Sequence, residues 1–137
     1  MATSYFADTW YWVALLDKTD SAHSVAIALC DKLGDEPIVT SQMVLDELLG
    51  TFTKQNTAHL RPIALQLIDG FADLGINVIA QTPEQFSEAI ARYRKYDDKV
   101  WSLTDCASMS IMAGQNIQIA LTNDHHFEQA NFNILNT

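Results

Sequence analysis

Short apolar runs alternate with helix-patterned segments along the chain, and that alternation limits the fold more than any other feature. Strand patterns cover residues 4–7, 37–40, 76–80, 117–121 and 132–135. Between them lie segments with helical spacing and helix punctuation. Residues 10–16 begin one helix, and Asp20 or Ser21 is placed to cap a second over 22–33, with Gly34 as its stop. Ser41 caps a third, in which Val44, Leu45, Leu48, Leu49 and Phe52 recur at helical spacing. A fourth is read over 58–74, ended by Gly75. Thr82-Pro83-Glu84-Gln85 has the form of a capping box with Pro at the first helical position. Ser102-Leu103-Thr104-Asp105 opens the next helix in a similar way, and Gly114 closes it. Residues 125–129 form a last short helix. Strands alternating with helices imply an α/β fold, a parallel sheet with helices on both faces. In such sheets the working crevice lies outside the carboxyl ends of the strands.

The chain has 137 residues and is 48% apolar, which fits one domain over 1–137 with a core of its own. No apolar run reaches transmembrane length, and Met1-Ala2-Thr3-Ser4-Tyr5 lacks a basic leader region, so no membrane and a cytoplasmic location are expected. Cys30 and Cys106 are expected to be free, buried thiols. The net charge of −9 argues against a broad basic face for nucleic acid. It leaves room for an enzyme that holds phosphates through metal ions. Arg92, Arg94, Lys95 and Lys99 are half of the 8 basic residues and lie close together. They form either a solvated helix surface or a phosphate-contacting strip.

Four acids fall at the carboxyl edge. Asp8 follows the first strand, and Asp124 follows the fourth. Asp105 lies in the first turn of a helix starting on that side, and Glu47 lies on the helix leaving the second strand. Unneutralised, such carboxylates repel one another and suffer desolvation. Oxygen-rich clusters of this kind suit Mg²⁺ or Mn²⁺, which bind a scissile phosphate and activate water. Each acid also has a structural reading: Asp8 as a helix cap, Asp105 as the capping-box partner of Ser102, Asp124 as a turn residue. Asp46 and Glu47 flank the apolar face of their helix on opposite sides, so periodicity does not choose between them.

His125-His126 suggests zinc, but adjacent helical residues point about 100° apart, which favours a surface or phosphate-contacting role for His125. Gly-rich phosphate loops, G-x-S-x-G, H-E-x-x-H and C-x-x-C are absent from the sequence. Trp10, Tyr11 and Trp12 are read as core and interface before base-stacking groups.

Taken in order, the acidic segments resemble the motifs of the PIN-domain family. Phe6-Ala7-Asp8-Thr9 is similar to its opening motif, and Val44-Leu45-Asp46-Glu47-Leu48 to its helix-borne glutamate. Trp101-Ser102-Leu103-Thr104-Asp105-Cys106 resembles the third acidic motif. Leu121-Thr122-Asn123-Asp124-His125-His126-Phe127 resembles the fourth. Trp10 and Asn131-Phe132 depart from the family pattern, which favours a small residue and an Ala-Gly-Phe-like turn there.

The resemblance implies a three-layer α/β/α fold with a central, mainly parallel sheet of four to five short strands. It selects Glu47 over Asp46. It implies Asp8, Glu47, Asp105 and Asp124 as catalytic metal-site residues, with Thr9 and Thr122 as supporting hydroxyls. Arg92, Lys95, Lys99 and His125 are the candidate RNA contacts. Compact members of the VapC kind imply a ribonuclease toxin, a small antitoxin partner and a homodimer. The expectation is a Mg²⁺- or Mn²⁺-dependent endoribonuclease. Its alternatives are a PIN nuclease of RNA processing or DNA, and a degenerate PIN binding module. A phosphoacceptor receiver domain fits poorly. Asp8 stands without a second acid, the third strand leads into Gln81-Thr82-Pro83, and no lysine follows Lys99.

Overall fold

The structure is a computed structural model that describes residues 3–137; Met1 and Ala2, within the segment read for a leader, lie outside the described residues. Five strands form one sheet: β1 (Tyr5–Ala7), β2 (Ile38–Ser41), β3 (Ile76–Ile79), β4 (Ile119–Leu121) and β5 (Asn133–Leu135). Their order is β3-β2-β1-β4-β5, and every neighbouring pair is parallel. The helices are α1 (Thr9–Leu16), α2 (His23–Leu33), α3 (Gln42–Thr51), α4 (Arg61–Asp69), α5 (Pro83–Lys95), α6 (Leu103–Gly114) and α7 (His126–Gln129). The expected parallel α/β architecture is therefore present, with five strands.

The chain winds outward from β1 through β2 to β3, then crosses back to β4 and on to β5. Right-handed crossovers place the helices of the two halves on opposite faces. The winding direction reverses between β1 and β4. Their carboxyl ends are therefore the topological switch point, where a crevice opens. The Asp8 N–H donates to the Leu121 carbonyl at 3.3 Å and ties the two strand ends together.

β1 is buried on both sides, with Phe6 and Ala7 fully enclosed. Burying a side chain like Phe6 is worth about 2–3 kcal/mol. Tyr11 and Trp12 also lie in the core, as core residues and not base-stacking platforms. Trp12 packs its ring on Phe71 at 4.9 Å, and its Nε1–H donates to Thr40 Oγ1 at 3.2 Å. Thr40 in turn donates to the Ala7 carbonyl at 2.9 Å. Both buried polar groups are thereby satisfied.

The helix expected over 58–74 is shorter. A 3₁₀ turn spans Ala58–Leu60, α4 ends at Asp69, and Gly70 is its C-cap. Phe71 then turns into the core, and the Ile76 N–H donates to its carbonyl at 2.9 Å. Core burial of Phe71 outweighs continuation of the helical pattern. Gly75, at φ +72°, makes the left-handed turn into β3.

Other caps differ in detail. Asp20 accepts the Ala22 N–H at 2.8 Å, one step before the first turn of α2, and Ser21 caps nothing. Thr82 accepts the Gln85 N–H at 3.1 Å, but the Gln85 side chain reaches the Ala107 carbonyl at 3.5 Å. The box at α5 is thus half formed. Cys106 is buried as expected, whereas Cys30 is exposed, because α2 buries Ala26, Leu29 and Leu33 and leaves Cys30 beside that stripe. Asn131 takes φ +69° before β5. It adopts the left-handed conformation that a turn glycine would supply, which asparagine tolerates.

Candidate active site

Asp8 leaves β1 as the extended N-cap residue of α1, and its side chain makes no capping bond. The carboxylate is free to face the crevice and is only 7% exposed. Thr122, fully buried after β4, donates its hydroxyl to Asp8 Oδ2 at 2.8 Å. The same hydroxyl accepts the Asp124 N–H at 3.1 Å. One threonine thus fixes the acids that follow β1 and β4.

Glu47 projects from α3, which Ser41 caps by accepting the Val44 N–H at 3.2 Å. Thr9 donates to Glu47 Oε1 at 2.5 Å. Asp46, its neighbour, lines a different groove with Arg61 and Leu65. The two faces that periodicity left open are therefore occupied by different partners, and Glu47 is the one directed toward Asp8.

Asp105 does both things considered for it. It completes the capping box of α6, with its N–H donating to Ser102 Oγ at 3.0 Å and its Oδ2 accepting the Ser102 N–H at 3.1 Å. That pairing locks its rotamer while Oδ2 also meets His126 Nδ1 at 3.1 Å. His126 Nδ1 lies 3.2 Å from Asp124 Oδ1, and the His126 N–H donates to the same oxygen at 2.9 Å.

The chain's charges leave a mark on Asp8. Burial raises its carboxyl from the ordinary 3.8 to about 7, and the charges of Asp105 and Glu47 add to the rise. The bonds from Thr122 and from the Thr9 backbone act in the opposite direction. A buried carboxyl pushed this far lacks a counter-charge, which a cation would supply. Carboxylate oxygens from several elements match what a hard divalent ion takes. The donor set fits such an ion. Behind Asp105, burial pushes the Cys106 thiol up and Asp105 adds to it, so that cysteine is unsuited to act as a thiolate.

The remaining candidates lie apart from the acids. Arg92 Nε donates to Ser110 Oγ at 3.1 Å in a groove between α5 and α6 that Lys95 and Tyr96 also line. Lys99 lines the adjoining groove with Tyr93, Tyr96 and Trp101, and pairs with Asp98 at 3.5 Å. His125 is exposed and engaged with Glu128. It does not reach the acids. Its neighbour His126 does, and sequence reasoning missed it by weighing the two histidines as a pair. The signal was the D-x-H spacing: an Asx turn, in which an aspartate accepts the N–H two residues on, keeps the backbone of residue 126 close to the Asp124 carboxylate.

A PIN domain family model matches residues 5–133. The 23S rRNA-specific endonuclease VapC20 of Mycobacterium tuberculosis is 30% identical over 129 residues, covering 93% of this chain and 94% of that protein. The crystal structure of M. tuberculosis VapC20, a sarcin-ricin loop cleaving toxin, has a TM-score of 0.86 to this chain at 23% identity. That superposition covers 97% of this chain and 99% of the other. FitAcB from Neisseria gonorrhoeae shares the fold with a TM-score of 0.70 at 16% identity, over 96% of each chain. Acidic motifs, parallel sheet and family match coincide over almost the same residues: the chain belongs to the PIN domain family.

Proposed function

We propose that this chain is a divalent-metal-dependent endoribonuclease and the toxin of a toxin–antitoxin pair. The observation that carries the reading is the linkage of acids at the β1–β4 switch point: Thr122 joins Asp8 to Asp124, His126 joins Asp124 to Asp105, and Thr9 beside Asp8 holds Glu47. The likeness to an rRNA-specific endonuclease along most of the chain supports RNA, and structured ribosomal RNA in particular, as substrate. One sheet and one continuous hydrophobic cluster support reading 1–137 as a single domain. No helix among the described residues is long and apolar enough to cross a membrane. The VapC resemblance carries with it a small antitoxin and a homodimer. The similar folds in Rickettsia felis VapBC2 and gonococcal FitAcB support that partner class.

The reaction is in-line attack of water on phosphorus with departure of the ribose oxygen. A bound Mg²⁺ or Mn²⁺ supplies neutralising charge at the phosphate and lowers the pKa of water. Asp8, Asp105 and Asp124 would hold it, with Glu47 at the rim. Thr122 orients Asp8, Thr9 orients Glu47, and the α6 capping box orients Asp105, so little reorganisation is needed when substrate arrives. Arg92, Lys95 and Lys99 hold flanking phosphates along α5 and the loop after it.

Purified protein is incubated with total RNA and with intact ribosomes in Mg²⁺ or Mn²⁺, with and without chelator, and new ends are mapped. Defined, chelator-sensitive ends absent from Asp105→Asn are expected. Full activity in folded Asp105→Asn overturns the four-acid assignment.

A further inference from the structure

We infer that His126 is a metal ligand, one that gives the centre a nitrogen donor and a preference for Mn²⁺ over Mg²⁺. This deepens the nuclease reading and rests on it. The trio consists of Asp105, Asp124 and His126, each offering one donor atom, with all three atoms within 4.8 Å of one another. Nδ1 of His126 sits 3.1 Å from Asp105 Oδ2 and 3.2 Å from Asp124 Oδ1. Neighbouring ligands of an octahedral ion at Mg²⁺-like bond lengths are about 3 Å apart. The spacing of the nitrogen from both oxygens is that of hydrogen-bonded neighbours in the metal-free protein, and it is also that of adjacent vertices around one ion.

Two backbone features fix it there. The Asp105 rotamer is set by the Ser102 box, and the His126 N–H is bound to Asp124 Oδ1 at 2.9 Å. The imidazole is part-buried and turned inward, while His125 on the next position is spent on Glu128. Mg²⁺ takes oxygen ligands and keeps its waters, whereas Mn²⁺ shares the taste for carboxylates but, as a transition ion, accepts an imidazole more readily than Mg²⁺ does. Replacing one oxygen vertex by nitrogen therefore tilts selectivity toward Mn²⁺.

Mn²⁺ is added to the full-length protein and its pulsed EPR echo is examined for nitrogen modulation, with Mn²⁺ and Mg²⁺ affinities taken by calorimetry. Directly bound imidazole gives ¹⁴N modulation, present in wild type and His125→Asn and lost in His126→Asn. The ratio of Mn²⁺ to Mg²⁺ affinity is expected to fall about tenfold in His126→Asn. Protein made with ¹⁵N-histidine should change the modulation pattern without any substitution, so the result stands even if that variant folds poorly. Mn²⁺ bound to wild type and lost in Asp105→Asn, but without nitrogen modulation, overturns the ligand assignment and leaves the nuclease reading intact. Modulation that persists in folded His126→Asn does the same. Absence of Mn²⁺ binding by wild type overturns the metal centre and the ligand together.

Discussion

The crevice at the β1–β4 ends and the groove along α5 use charge in opposite ways. In the crevice, carboxylates from four elements are oriented by neighbouring hydroxyls, a capping box and an imidazole. On α5 and the loop after it, cations stand at the surface with loose partners: Lys95 lies 5.4 Å over the Tyr96 ring, and Lys99 meets an adjacent aspartate. The first region is preorganised and costly without a counter-ion. The second is adaptable and screened by salt. The comparison shows that a chain of net charge −9 still gathers half of its cations in one place, on different elements from the clustered carboxylates.

The strongest way to break this division is Asp105→Asn. It should lower single-turnover cleavage by about a thousandfold. The circular dichroism spectrum should stay unchanged, because the amide oxygen still closes the capping box. RNA binding measured by fluorescence anisotropy should be nearly unaltered; a matching loss of binding would show that the acids capture substrate as well.

Asp8 gives the second test, on stability without metal. Its carboxyl has a folded pKa near 7 against an unfolded 3.8, so folding retains its proton. Its contribution is intact below the unfolded value, falls as pH rises from about 4 to 7, and is flat above. Metal-free wild type should therefore weaken over that window by up to about 4 kcal/mol. Asp8→Asn should remove the slope and be the more stable protein at pH 8, as followed by urea unfolding. A wild-type slope of opposite sign would mean that Asp8 stays ionised in the fold.

The α5 groove predicts smaller, salt-dependent effects. In an Asp105→Asn background, Lys95→Ala plus Lys99→Ala should weaken RNA binding several-fold. The slope of log affinity against log salt should flatten by about 0.7 per lost phosphate contact. Unchanged salt dependence would return these lysines to ordinary solvated surface. The smallest effect is expected from Thr82→Ala, which removes the N-cap of α5. Stability should drop by about 1 kcal/mol in thermal unfolding, with RNA affinity preserved. That outcome would separate the groove's charge from its scaffold.

Local chemistry made much of this molecule readable. Ser41, Thr82 and Ser102 mark helix starts because side-chain caps act within three residues, and all three accept the expected N–H. Strand and helix order followed from the same kind of signal. What failed depended on distant partners. The helix over 58–74 stops early because Phe71 finds a place against Trp12, a contact no local pattern records. The surroundings of Asp46 and Glu47 are likewise undetermined by periodicity, since Thr9 reaches Glu47 from another element and Asp46 lines a groove with Arg61. His126 lay between these cases: its spacing from Asp124 is local, but its meeting with Asp105 is not.

The Thr122 hydroxyl spans 114 residues of sequence to reach Asp8. During synthesis Asp8 emerges 114 residues ahead of Thr122. Contacts of such long sequence separation form late and slowly. Until β4 docks, Asp8 lacks the hydroxyl that orients it, and the crevice is incomplete. A chain truncated before β4 lacks Thr122, Asp124 and His126 and cannot assemble the crevice at all.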